Sequence, residues 1–334
     1  MERYSLPLAN PPIKYLQHYA YRLSIILNHD EGWPWFYSNF IQLLGRKGAT
    51  GAADYRIDFL PAALGFHTFF PLLDYSPLKK EIILNQLQCD VHDLLQRSLQ
   101  EQLYIYTFVD EFYIPHRRSY QQQHFGHDIL IYGYDLSERA YHVVGFDENM
   151  MYRETKVRFD QMEQAMMSAP EQPIIQIYRN QFSYELDMEA IKDALTDYIH
   201  AHNSSKRLRS FVTPMPDHHY YGLAVYSGLE EHLDMLGEDM GNYNIRLTHL
   251  LMEHKQCMLL RLDYLKKEGR LFDADELLGS YQELMDMTLK LRHLYLKISL
   301  STDKEAPGKV KDLLLTLRAA DESLSEKIVK RLKM

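Results

Sequence analysis

The stretch VDEFYIPHRRSYQQQHFGHDILIYGYDLSERAYHVVGFD, residues 109–147, decides how this chain is read. From His127 to Tyr134 it is rich in Ile, Leu and Tyr. Asp135 to Arg139 is polar, and Ala140 to Phe146 returns to Val, Tyr and Phe. Two β-rich runs flanking a short polar turn specify a hairpin. Such a hairpin puts His127 at the start of one strand and Asp147 at the end of its partner, so an imidazole and a carboxylate are expected to meet. A carboxylate that orients a histidine is half of a nucleophile–base–orienter system. Hairpin ends also carry His and Asp for structural reasons alone, and both readings stand at this point.

Working outward, Tyr104 to Val109 reads as a strand, as do Tyr152 to Arg158 and Ile174 to Tyr178, with a helix from Phe159 to Ser168 between them. On the N-terminal side, Ile13 to Asn28 has apolar residues at helical spacing. A second helix is expected from Pro34 to about Leu44, since proline suits a first turn. Gly45 to Ala53 reads as a loop and lacks the Gly-Lys-Ser/Thr ending of a phosphate-binding loop. Asp90 to Glu101 reads as a helix capped by Asp90. The expectation is an α+β domain over residues 1–182, its antiparallel sheet (residues 104–178) packed on the helix that starts near Pro34.

From Asp187 onward strand signals vanish. Helical periodicity runs over Asp187 to His202, Tyr220 to Leu236, Tyr243 to Glu268, Asp273 to Leu300 and Ala306 to Leu332. These segments predict an all-α domain over residues 183–334, with their Leu, Met and Tyr residues as core.

Composition narrows the function classes. The chain has 334 residues, 46% hydrophobic and 25% charged, with a formal net charge of -9. That balance, without a long basic run, disfavours nucleic acid and anionic membrane as partners. Cys89 and Cys257 are the only cysteines, too few and too far apart for a disulfide framework, so a cytoplasmic location is expected. No stretch of about 18 apolar residues would span a bilayer. Nothing calls for a cofactor. Cys89 opens the 90–101 helix, where a thiol pKa can fall, but no base accompanies it and a small buried residue is the simpler reading.

Three blocks carry a family resemblance: Val109-Asp110-Glu111-Phe112-Tyr113-Ile114-Pro115, then His127-Asp128-Ile129-Leu130-Ile131-Tyr132-Gly133-Tyr134-Asp135, then the strand ending at Asp147. In these the chain resembles the N-terminal domain family of butirosin biosynthesis protein H, a branch of the papain-like cysteine peptidase fold. The resemblance covers roughly residues 10 to 180. It implies a histidine at His127, an acidic partner at Asp147, and a cysteine opening the first long helix. No cysteine precedes residue 89. The expected nucleophile helix is the one at Pro34, with Asn28 upstream as an oxyanion-stabilising amide and Ser38 as the nearby hydroxyl, about one turn too late for the helix dipole.

Asn28, Trp35, Asp110, Glu111 and Tyr113 are the candidate substrate contacts. The aromatic cluster Trp33, Trp35, Phe36, Tyr37, Phe40, Phe66, Phe69 and Phe70 suits an acyl or peptidyl chain if part of it lines the cleft. His116, His124, His127 and Asp128 lie close in sequence, but neighbours at that spacing on a strand point to opposite faces, so no metal is expected. The resemblance implies an accessory protein of nonribosomal peptide or related antibiotic biosynthesis, binding an acyl or peptidyl group, a carrier protein or a synthetase in a degenerate cleft. The alternatives are an active acyltransferase or hydrolase using His127 and Asp147, and a pure protein-interaction module.

Overall fold

The computed structural model describes residues 2–60, 69–169, 172–210, 213–238, 240–300 and 306–333. Phe66, part of the aromatic cluster, lies outside them. By its internal contacts the chain divides into two units, residues 1–32 with 70–183, and residues 33–69 with 184–334. One of its divisions falls between residues 183 and 184. Residues 33–69, read with the N-terminal domain, pack instead with the C-terminal segment.

The first unit is built on a seven-stranded antiparallel sheet in the order β4-β9-β5-β6-β7-β8, with β1 paired to β6 beside β5. The strands are β1 (Arg3–Ser5), β4 (Leu73–Leu78), β5 (Tyr104–Asp110), β6 (Gly126–Asp135), β7 (Ala140–Phe146), β8 (Tyr152–Arg158) and β9 (Ile174–Arg179). The hairpin read from the sequence is β6–β7, closing at Asp135↔Ala140. A bulge between Ile131 and Gly133 shifts its register. A Cβ on Gly133 would stand 2.6 Å from the Tyr4 carbonyl oxygen, so a glycine is needed for β1 to lie alongside.

Helix α1 (Gln17–Ile26) packs on β6 and β7 and is buried nearly all round, from Tyr19 to Ile26. It takes the place expected for the Pro34 helix. Helix α3 (Val91–Gln100) opens on the Asp90 carboxylate, which accepts from the His92 and Asp93 amides, and it buries Val91, Leu95 and Leu99. Helix α4 (Phe159–Ser168) buries Phe159, Met162, Ala165 and Met166.

The second unit is mostly helical: α2 (Gly32–Ser38, which joins this unit from Trp33), α5 (Met188–Ile199), α6 (Val225–Glu238), α7 (Arg246–Lys267), α8 (Ala274–Ile298) and α9 (Ala306–Arg331). It also carries a three-stranded antiparallel sheet in the order β10-β2-β3, from Tyr220–Tyr221, Leu43–Gly48 and Gly51–Phe59. Apart from the two-residue β10, the described residues of 184–334 are helical or irregular as expected; the other two strands come from residues 43–59, where the expected 45–53 loop is a hairpin. Its glycines mislead the reading because they serve packing. A Cβ on Gly45 would meet the Tyr55 hydroxyl at 2.0 Å, and Gly51 turns at φ +70. The Tyr55 hydroxyl in turn donates to the Val225 carbonyl at 2.9 Å, fixing α6 on the hairpin.

The buried Arg261 of α7 closes the end of α2, donating to the carbonyls of Tyr37 (2.7 Å) and Asn39. Among the described residues, no helix is long and apolar enough to cross a membrane.

Candidate functional site

The first unit gathers its most unusual polar cluster where the β6–β7 ladder ends. Pairing stops at Leu130↔Val144. Beyond that point the Gln17 side chain, first residue of α1, stands between the strands. Its Oε1 accepts the Phe146 amide at 2.8 Å, and its Nε2 lies 3.1 Å from both the carbonyl and the Oδ1 of Asp128. A side-chain carboxamide has the donor and acceptor of a peptide unit, so Gln17 extends the ladder by one rung.

That wedge accounts for the fate of the His127–Asp147 pair. Asp147 is 1% exposed and turned to its own loop: Oδ1 accepts the amides of Asn149 (2.9 Å) and Met151 (2.8 Å). Its Oδ2 lies 2.6 Å from Arg153 Nη2. Among the described residues no hydrogen bond or ion pair joins it to His127. The partner of His127 is Glu111, whose Oε1 lies 3.2 Å from Nδ1, with Asp128 Oδ1 at 3.6 Å. Val109 is the register partner of His127, so Glu111, in the 3-10 turn just past β5, comes round to the imidazole.

Hydrogen counting assigns the ring. Nδ1 faces both Gln17 Nε2 at 3.0 Å and Glu111 Oε1 at 3.2 Å. With a proton on Nδ1, His127 donates to Glu111 and the two Gln17 N–H groups go to the two Asp128 oxygens, so Nδ1, Glu111 and Gln17 Nε2 all have partners. With Nδ1 bare, Glu111 loses that partner. Burial alone would lower the imidazole pKa, but Glu111 and Asp128 outweigh burial and the opposing Arg117 charge, so it lies above its ordinary value. Nε2 has no hydrogen-bond partner among the described residues, and Phe125 stacks on the ring with centroids 5.4 Å apart.

A raised folded-state pKa sets the sign of the pH dependence. The stability from His127 is complete below the ordinary histidine value of about 6.5, and is lost as pH rises through the folded value. Glu111→Gln should return the His127 titration, followed by NMR of its ring protons, toward ordinary. An unchanged titration would contradict the dyad.

The neighbours support this arrangement. Arg117, 4% exposed, donates to the carbonyls of Phe146 and Val144 and holds the end of β7. A Cβ on Gly145 would stand 2.7 Å from its guanidinium and 2.8 Å from Gln17 Oε1. His18 is kept neutral mainly by burial, its pKa lowered to about 4. A pocket of about 590 Å³ in the same unit lies toward the other end of α1, lined among others by Leu6, Ile25, His29, Leu103 and Tyr178.

The remaining expected site residues fall elsewhere. Asp110 accepts the Phe112 and Phe125 amides and lies 2.6 Å from His124 Nδ1. Burial raises its pKa, and these partners overturn that, leaving it lowered. Tyr113 packs edge-on against Phe112, with centroids 5.1 Å apart. Asn28 is in the turn after α1, the far end from Gln17.

Trp35 and Ser38 belong to the second unit. Trp35 is core beside Phe40 and Phe69. The Ser38 hydroxyl donates to the Pro34 carbonyl at 2.9 Å and accepts the Asp187 amide at 3.0 Å, a helix-end role with no imidazole partner among the described residues. Cys89 is exposed, not buried as expected, and Cys257 is buried. His124 and His127 face different carboxylates, and among the described residues no group of three or more His, Cys, Asp or Glu is placed to hold a metal ion.

Gln17 is the residue the sequence reading missed. The helix also carries His18, Arg22 and Ser24, so no local signal set Gln17 apart. No family model matches the chain, and no curated protein matches it.

Proposed function

We propose that the His127 cluster is a degenerate cysteine-peptidase-like site of the butirosin protein H N-terminal kind, which binds an acyl or peptidyl group without cleaving it. In this reading the protein is an accessory of nonribosomal peptide or related antibiotic biosynthesis, and its partner is a carrier protein or synthetase presenting that group. The observation that carries the reading is Gln17. It opens α1, the helix whose N-terminus reaches His127, where such enzymes place a cysteine. A carboxamide donates and accepts hydrogen bonds but does not attack a carbonyl. The nucleophile position therefore moves from Pro34 to Gln17, and the acidic partner from Asp147 to Glu111.

One observation favours a second reading, an active hydrolase or acyltransferase. His127 has a carboxylate behind Nδ1 and a partnerless Nε2, the arrangement of a general base that could activate water.

The test is incubation with an S-acyl pantetheine thioester. Saturable binding is expected, weakened by about tenfold or more in His127→Ala, which removes a ring of the binding surface. Absence of binding by the wild-type protein would overturn the proposal.

A further inference from the structure

Strands β5 and β9 pair only from Tyr106↔Ile175 to Tyr104↔Ile177. Past Tyr104 they separate, because each is engaged elsewhere. The Gln102 and Leu103 amides donate back to the Leu99 and Ser98 carbonyls in the last turn of α3, while Tyr178 and Arg179 stay paired with Asp74 and Leu73 of β4. In the fork between them lies the pocket of about 590 Å³, a volume typical of small-molecule sites. Leu6, Ile25, Leu103 and the Tyr104 ring give it an apolar wall, and the Tyr104 hydroxyl already donates to the Pro7 carbonyl at 2.5 Å. The polar lining is largely unused. The side chains of Glu101, Gln102, Tyr178 and Gln181 have no hydrogen bond or ion pair among the described residues. Arg179 Nη2 lies 3.2 Å from Glu31 Oε2, but the Glu31 side chain is 58% exposed, and so exposed a pair is weak enough to give way to a ligand carboxylate. His29, on the same lining, has its pKa lowered by burial and by the Arg179 charge against the pull of Glu31, so its ring is neutral. The lining thus presents one cation, Arg179, and one carboxylate, Glu101, with no ion pair between them.

We propose that this pocket binds a small zwitterion with an apolar body, an apolar amino acid or a short apolar peptide. Its carboxylate sits on the Arg179 guanidinium, which holds such a group through paired N–H donors, and its ammonium on Glu101. Its side chain covers the wall of Leu6, Ile25 and Leu103. A carboxylic acid without an amine would bring a second negative charge toward Glu101, and an amine without a carboxylate would make no use of Arg179. This inference does not rest on the reading of the His127 cluster, which meets α1 at its other end.

The experiment is isothermal titration calorimetry of the full chain at pH 7 with leucine and with leucyl-leucine, which separate the two sources. Saturable binding of at least one is expected. Its N-acetylated form, which lacks the ammonium, and its C-terminal amide, which lacks the carboxylate, should each bind about tenfold or more weakly. Glu101→Gln should weaken the zwitterion by a similar factor and leave the N-acetylated form unchanged. Arg179→Gln should weaken the zwitterion likewise and leave the amide unchanged. A Glu101→Gln loss as large for the N-acetylated form as for the zwitterion would overturn the proposal. So would an N-acetylated form or amide that binds the wild-type protein as tightly as its parent, or the failure of both zwitterions to bind at about 10 mM.

Discussion

Lys255→Met should destabilise the second unit by about 3–5 kcal/mol, the usual cost of removing one partner of a buried ion pair. Lys255 and Asp321 are both 0% exposed, with Nζ and Oδ2 2.5 Å apart. The ammonium uses all three of its hydrogens: on Asp321, on the Tyr198 hydroxyl at 2.9 Å and on His254 Nδ1 at 3.1 Å. His254 can accept there because its Nε2 donates to the Ile41 carbonyl at 2.7 Å. Asp321 Oδ2 also takes the hydroxyls of Tyr198 and Tyr226.

The network ties α5, α6, α7 and α9 to the segment before β2. Burial lowers the Lys255 pKa and Asp321 opposes that. With methionine in its place the Asp321 charge keeps only two tyrosines. Both tryptophans, Trp33 and Trp35, lie in this unit, so their fluorescence follows its unfolding in urea. The double variant Lys255→Met with Asp321→Leu should recover most of the loss. A single-variant loss below about 1 kcal/mol would mean the charge is relieved by some other group.

Gln17→Leu should cost about 1–3 kcal/mol in the first unit. The change keeps a side chain of similar volume and removes the rung between β6 and β7. It leaves the part-buried Phe146 amide without that partner, an orphan that costs about 1–3 kcal/mol, and leaves the Asp128 carbonyl with the Tyr21 hydroxyl at 3.3 Å. Hydrogen exchange is the direct probe. The Phe146 amide should lose most of its protection, while that of Val143, held by the β7–β8 ladder, should change far less. Retained protection at Phe146 would show that the strands close on each other without the glutamine.

The contrast between these residues shows what the sequence carries. The β6–β7 hairpin, the strands at 104–110, 152–158 and 174–179, and the five long C-terminal helices were legible, because each rests on a local pattern. The hairpin at 43–59 was not, since Gly45, Gly48 and Gly51 read as loop while two of them are demanded by Tyr55 and by a left-handed turn. Strand β4 was not singled out either.

The place of His127 at a strand start was legible, but its carboxylate partner was not. Proximity along the hairpin pointed to Asp147, whereas Gln17, 110 positions away in sequence, separates the strand ends and leaves Glu111 to meet the ring. Side chains that intrude from another element leave no trace in local periodicity.

The proposed His127 site is expected to bind an acyl group without cutting it. This is tested most directly by following thiol release from an S-acyl pantetheine thioester with the wild-type protein present. The prediction is saturable binding, with thiol release no faster than in buffer. Sustained release over many equivalents, abolished by His127→Ala, would contradict it and establish His127 as a working base.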